Sequence, residues 1–81
     1  MPVVFRYKGF RFFFYSNEGY PREPLHIHVR KGEAVAKFWL EPDISVAESY
    51  ELTSSELREL MEAVGKNREL IKRYWNEHFV K

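Results

Sequence analysis

The sequence contains no cysteine, which excludes disulfide bonds, thiolate zinc sites and a cysteine nucleophile. Its longest uninterrupted apolar run, Phe12 to Tyr15, is far shorter than the roughly 18 residues that a membrane-spanning helix needs. Neither charge dominates, because 13 Lys and Arg residues face 12 Asp and Glu residues. Overall charge therefore does not indicate a nucleic-acid or anionic-membrane partner. We expect a soluble protein of the cytoplasm.

Length and composition predict one small globular domain over residues 1–81. Eighty-one residues is about half of the roughly 150 residues typical of a domain. Hydrophobic residues make up 44% of the chain and charged residues 31%, which is typical of a folded chain and not of a disordered one. Without a disulfide, so short a chain must be stabilised by its core alone.

Two aromatic and β-branched runs near the N-terminus predict a β-hairpin. Val3 to Tyr7 and Phe10 to Tyr15 flank Lys8-Gly9, and a two-residue loop ending in glycine is typical of a tight turn. Pairing Tyr7 with Phe10 divides the side chains between two faces. We expect a core face that carries Val3, Phe5, Tyr7, Phe10, Phe12 and Phe14. The opposite side of the sheet, here called the outer face, should carry Val4, Arg6, Arg11, Phe13 and Tyr15.

A second hairpin is predicted on either side of Lys31-Gly32, where Leu25 to Arg30 and Glu33 to Leu40 alternate between apolar and polar residues. An even-numbered loop would pair Val29 with Ala34 and give a wholly apolar core face. The residues then expected on the outer face are His26, His28, Arg30, Glu33, Lys37 and Trp39.

The remaining segments predict two loops and a helical C-terminus. Ser16 to Pro24 is rich in turn residues and should be an exposed loop, and the stretch after Leu40 lacks a clear period, although Ile44 and Val46 allow a short edge strand. Thr53-Ser54-Ser55-Glu56 has the form of a capping box, which predicts a helix start. Gly65 either kinks one long helix or ends the first helix before a second begins near Asn67.

Together these elements predict an α+β fold. It consists of an antiparallel sheet of about four strands, in two hairpins, with a C-terminal helix or helix pair packed on one face. No further element is left to cover the outer face, so we expect that face to be open.

The pair His26-x-His28 is the sharpest candidate for chemistry, because alternate strand residues project to the same side about 7 Å apart. As general base and general acid, the imidazoles would cleave RNA without a metal, with Arg30 and Lys37 stabilising a pentavalent phosphate. Alternatively, they would be two ligands of a zinc ion, which needs at least one more. The positions considered for that ligand are Glu23 in the loop before the strand, Glu33 at the far end of the hairpin, and His78 on the terminal helix, expected on the other side of the sheet.

The rest of the outer face allows three interpretations. Arg6 and Arg11 would make it basic, and the rings of Phe13, Tyr15 and Trp39 would be available to stack on RNA bases. The same uncovered aromatic residues would form an exposed apolar patch, which usually marks a surface for a partner protein. The third interpretation is an ordinary solvated sheet face.

Three segments of the chain resemble the domain-of-unknown-function 4160 family. They are Glu23-Pro24-Leu25-His26-Ile27-His28-Val29, then Ala36-Lys37-Phe38-Trp39, and the terminal Trp75-Asn76-Glu77-x-Phe79. The family comprises short bacterial proteins with an N-terminal aromatic hairpin, a Pro-x-His-x-His-Val strand, an Ala-Lys-Phe-Trp strand and a C-terminal helix. Many members carry a second proline where this chain has Leu25.

The resemblance implies a partner protein but no established activity. Family members are often encoded beside a second short protein, in the manner of toxin-antitoxin modules. We therefore expect one component of such a two-protein module, which binds its partner through the open outer face and has RNA binding or cleavage as a further activity. The alternatives are a zinc-binding module and a pure interaction domain without catalysis. The motif positions expected to function are His26, His28, Lys37 and Trp39, whereas Phe38 and Trp75 should be core.

Overall fold

The structure is a computed structural model and describes residues 3–15 and 24–79. The predicted loop at Ser16 to Pro24 lies outside the described residues except for Pro24. Five strands are followed by two helices. Their bounds are β1 Val3–Tyr7, β2 Phe10–Phe13, β3 His26–Lys31, β4 Ala34–Trp39, β5 Ser45–Tyr50, α1 Ser54–Lys66 and α2 Arg68–Phe79.

The strands form one antiparallel sheet in the order β1-β2-β3-β4-β5, so the α+β class is confirmed. The expected count of about four strands is corrected to five. The fifth strand, β5, forms an edge of the sheet, and all of its residues are exposed except the half-buried Ala47. An edge strand with so little burial has no strong apolar alternation, which explains its weak signal in the sequence.

The first hairpin has the predicted turn but contains a β-bulge. Tyr7 pairs with Phe10, and Lys8 and Gly9 both have positive φ, at 48° and 84°, as a type I′ turn requires. The register shifts between Val3 and Phe5, so that Val3 opposes Phe13. The intervening Val4 is buried in the core, and the expectation that it faces outward is wrong. A bulge adds one residue to one strand and so exchanges the faces beyond it.

The second hairpin turns one residue later than expected. Lys31 pairs with Ala34 across Gly32-Glu33, and Val29 therefore opposes Ala36 and not Ala34. Gly32 has a φ of 59° at the first turn position, where a type II′ turn requires glycine. Because the pairing moves by two residues, the side chains of β3 and β4 keep their predicted faces, whereas Glu33 lies in the turn and not on the outer face.

The capping box at the start of α1 is confirmed. The Thr53 hydroxyl accepts a hydrogen bond from the Glu56 backbone N–H at 3.0 Å, and the Glu56 carboxylate accepts one from the Thr53 N–H at 2.9 Å. Gly65 lies inside α1, and the break comes at Asn67. The Asn67 side chain donates to the Ala63 carbonyl at 2.8 Å, which satisfies a carbonyl at the helix end.

Both helices contribute to a core that lies on one side of the sheet. Phe12 is fully buried and stacks on Phe5 with ring centroids 4.2 Å apart. The helix residues in this core are Leu60, Ala63, Val64, Ile71 and Trp75. In the part of the chain that the structure describes, no helix is long and apolar enough to cross a membrane.

One ion pair ties the first hairpin to α1. The Lys8 ammonium lies 2.8 Å from the Glu59 carboxylate, which also accepts a hydrogen bond from the Tyr7 hydroxyl at 3.3 Å. The hydrogen bond and charge of Lys8 lower the pKa of Glu59, and those of Glu59 raise the pKa of Lys8. Lys8 lies in the hairpin turn and Glu59 on α1, so this pair forms on the side of the sheet that the helices cover.

Candidate functional site

The strand register places the outer-face residues in three rows across the sheet. The first row reads Arg6, Arg11, Arg30, Val35 and Tyr50. The second reads Val3, Phe13, His28, Lys37 and Glu48. The third reads His26, Trp39 and Ser45. The rows bring together nearly all of the site residues expected from the sequence, on the expected side of the sheet.

His26 is nevertheless enclosed, and the expectation that it faces solvent is wrong. Its exposure is 0%, and its ring centroid lies 5.5 Å from that of Trp39 and 5.1 Å from that of Trp75. The reason is that Trp75, on α2, reaches the first residue of β3. The Nδ1 atom lies 2.9 Å from the Pro24 carbonyl oxygen, which accepts a hydrogen bond when Nδ1 carries the proton. His26 is thus part of an aromatic cluster.

His28, in contrast, lies half-buried in the middle of the outer face. Its ring stacks against Phe13 with centroids 5.8 Å apart and meets the edge of Tyr15 at 4.6 Å. Phe13 is itself only 4% exposed, although it lies outside the main core. The predicted aromatic set on this face therefore packs largely against itself.

The histidine pair by itself does not complete a zinc site. The two imidazole centroids are 5.2 Å apart, with their planes nearly perpendicular. Within residues 3–15 and 24–79, no group of three His, Cys, Asp or Glu side chains is placed to hold a metal ion, whereas a zinc site needs three or four ligands. Glu33 lies in the hairpin turn and His78 on α2, while Glu23 lies outside the described residues.

The two predicted catalytic cations are differently placed. Lys37 pairs across the strands with His28, and its ammonium lies 4.5 Å from the ring centroid of Trp39. This distance is within the range of a cation–π interaction. Arg30 is exposed, and its Nε donates to the Gly32 carbonyl at 3.2 Å. Lys37 and His28 are therefore adjacent, whereas part of the Arg30 guanidinium is directed toward the hairpin turn.

A depression of about 240 Å³ lies in the outer face between β2 and β5. Two tyrosines that line it are among the most exposed large hydrophobic residues: Tyr15 is 40% exposed and Tyr50 is 59% exposed. The polar side chains in its lining include His28, Lys37 and Glu48. Aromatic and charged groups thus meet in one concave surface.

A comparison with known protein families identifies the family of this chain. Residues 9–76 match the model of a family described as a domain of unknown function (DUF4160). The chain belongs to the DUF4160 family. The match extends from the turn of the first hairpin to the residue after Trp75, and it confirms the resemblance inferred from the motifs. No curated protein and no solved structure matches the chain.

The motif positions of this DUF4160 chain divide into two groups. His28 and Lys37 line the depression, whereas His26 and Trp39 form the aromatic cluster with Trp75. Phe38 is fully buried and Trp75 is 5% exposed, so both are core residues as predicted. The motif therefore contributes residues both to the depression in the outer face and to the buried core.

Sequence reasoning missed two residues of the depression, Glu48 and Tyr50. Both lie on β5, which the sequence marked only as a possible edge strand at Ile44 and Val46. The available signal was the spacing of Glu48 and Tyr50, because residues two apart on a strand share a face. That signal becomes usable only once the strand itself has been assigned.

Proposed function

We propose that this DUF4160 chain is a cytoplasmic component of a small bacterial two-protein module of the toxin-antitoxin type. It binds its partner protein through the outer face. The gene-pair arrangement implied by the family resemblance supports the module, and the depression flanked by Tyr15 and Tyr50 supports the surface. Tyrosine is enriched in protein interfaces, where a rigid ring and a hydroxyl provide both apolar and polar contact.

The outer face suits docking better than the sheet edges do. Both edge strands carry a bulge. Val4 in β1 and Ala47 in β5 have no opposite residue in the register of the neighbouring strand. A bulge interrupts the regular ladder of backbone groups that an added strand would use, and edge bulges are a common protection against strand addition. The partner therefore docks on side chains of the outer face.

RNA binding is the second candidate function, favoured by the arginines of the first row on the outer face. Cleavage is less well supported than binding. A two-histidine mechanism needs both imidazoles to reach the phosphodiester and its leaving group, and His26 is fully buried. Only His28 of the pair lines the depression.

The proposal is tested by measuring binding to the protein encoded beside this gene. Tyr50→Ala should raise the dissociation constant by about 30-fold, since truncating an aromatic residue that anchors an interface costs about 2 kcal/mol or more. Val46→Ala is a matched control on the same strand. Val46 is 39% exposed, but it pairs with the core residue Phe38 and so lies on the opposite side of the sheet.

Isothermal titration calorimetry with the purified pair gives both values. A partner that binds the wild type but is indifferent to Tyr50→Ala would contradict docking at this depression. Absence of binding between the two wild-type proteins would contradict the two-protein module itself.

A further inference from the structure

Three arginines stand side by side across β1, β2 and β3 on the outer face. Arg6 pairs with Arg11, and Arg11 pairs with Arg30, in the register of adjacent antiparallel strands. Directly opposed residues have their Cβ atoms about 5 Å apart. All three side chains are exposed, so the surface carries three adjacent cationic residues, here called the arginine row.

This arginine row lacks neutralising carboxylates among the described residues. Among the described residues, the ion pair joins Lys8 to Glu59, and it lies on the helix-covered side of the sheet, not on the outer face. Like charges directly opposite one another on a sheet are destabilising. An overall charge of only +1 makes such a concentration of cations on one face more unusual. A bound anion would remove the repulsion and gain charge-assisted hydrogen bonds.

Beside the row lies a second depression, of about 130 Å³, which combines charge with apolar surface. It is lined by Val3, Arg11, Phe13, Tyr15 and Arg30. A carboxylate placed between the two guanidinium groups would lie next to the rings. An apolar side chain two residues further along an extended segment would then reach the neighbouring row, because alternate side chains are about 7 Å apart.

We propose that the arginine row recognises an acidic segment of the partner protein. The segment presents aspartate or glutamate carboxylates to Arg11 and Arg30, and an apolar side chain to the Phe13 and Tyr15 rings. This inference rests on the proposed function, since it names the chemistry of the partner that docks on the outer face. Guanidinium groups suit this task because their planar fork matches a carboxylate in a bidentate pair.

Two of the three rings predicted to stack on bases, those of Phe13 and Trp39, favour a protein segment over RNA, whereas the Tyr15 ring is 40% exposed. Single-stranded RNA is held by stacking bases on open ring faces. Here Phe13 is 4% exposed and stacks against His28, and the Lys37 ammonium lies over the ring of Trp39. Rings engaged in this way still provide an apolar floor for an aliphatic side chain, but they offer little open face to a base.

An NMR titration of the full chain tests the inference directly. The probe is a short peptide that alternates glutamate with serine and carries one leucine, and the matched probe replaces each glutamate by glutamine. The glutamate peptide should shift the Nε resonances of Arg11 and Arg30 together with amides of β2 and β3. The double variant Arg11→Gln/Arg30→Gln should weaken binding about tenfold or more, through the loss of two charge-assisted contacts. It should remain folded, because both side chains are exposed.

The control variant Arg58→Gln/Arg68→Gln removes the same charge from exposed positions of α1 and α2. It should bind the glutamate peptide as the wild type does. Equal shifts from both peptides, or equal weakening by the control variant, would overturn the acidic-segment inference. A uridine oligonucleotide that binds more tightly than the peptide, and in an Arg11- and Arg30-dependent way, would assign the row to RNA instead.

These outcomes are separable from failure of the proposed function. If Tyr50→Ala weakens binding of the neighbouring protein while Arg11→Gln/Arg30→Gln does not, the docking surface stands and only the acidic chemistry is wrong. If neither variant weakens that binding, the outer face is not the docking surface and both proposals fail.

Discussion

Replacing His26 by alanine should destabilise the fold strongly, whereas the same substitution at His28 should have a small effect. The two residues share a strand, a face and a side-chain type, so each serves as the control for the other. They differ in burial, because His26 is 0% exposed and His28 is half-buried on the outer face. A stability difference between the two variants would therefore measure the enclosure of His26.

The expected magnitude follows from the rings around each imidazole. Truncating His26 leaves a cavity among Trp39, Trp75 and His28, whose centroids lie 5.1 to 5.5 Å from its own. By comparison with buried aromatic and aliphatic truncations, this should cost about 2 to 4 kcal/mol. Loss of the hydrogen bond to the Pro24 carbonyl adds little, since Pro24 is exposed and water replaces the donor. His28→Ala should cost less, about 1 to 2 kcal/mol, because its ring contacts Phe13 and Tyr15 from a half-buried position at the surface.

Urea unfolding followed by far-ultraviolet circular dichroism measures both changes without relying on the two tryptophans beside His26. With a slope of about 1 kcal/mol per molar urea for so small a domain, His26→Ala should lower the midpoint by about 2 to 4 M. The total stability of a chain this size is about 4 to 12 kcal/mol, so a loss of this size is a large share of it. Equal midpoints for the two variants would refute the assignment of His26 to the aromatic cluster.

Two further predictions concern the helix start and the ion pair at the first turn. Thr53→Ala should lower the free energy of unfolding by about 1 kcal/mol, because the capping hydrogen bond is lost. Ser54→Ala, at the next exposed position, is the control. Equal thermal midpoints for the two variants would show that the cap does not stabilise the helix. Glu59→Gln should reduce stability at neutral pH. Because Lys8 lowers the pKa of folded Glu59 below 4.5, this contribution is present above that pH and is lost as the pH falls through the folded-state value. Urea midpoints of wild type and variant should therefore converge in acid, and a constant difference down to low pH would contradict the pairing.

Features set by neighbours in the sequence were predictable in this chain. The Lys8-Gly9 turn, the alternation along β3 and β4, and the Thr53 capping box all depend on residues within a few positions of one another. The second turn was displaced by one residue because glycine suits either turn position, depending on the turn type. The faces were still predicted correctly, since a shift of two in pairing preserves side-chain parity.

Features set by tertiary context were not predictable. The Val4 bulge has no mark in the sequence, because valine fits a regular strand as well as a bulge. The enclosure of His26 depends on Trp75, which is 49 residues away and for which the sequence predicted only a core role. Parity along β3 correctly assigned His26 and His28 to one side of the sheet, but parity says nothing about what else reaches that side. A two-histidine motif therefore became one structural residue and one surface residue. Because of this division, the outer face is better suited to recognising a partner, through Tyr15, Tyr50 and the arginine row, than to proton transfer between two histidines.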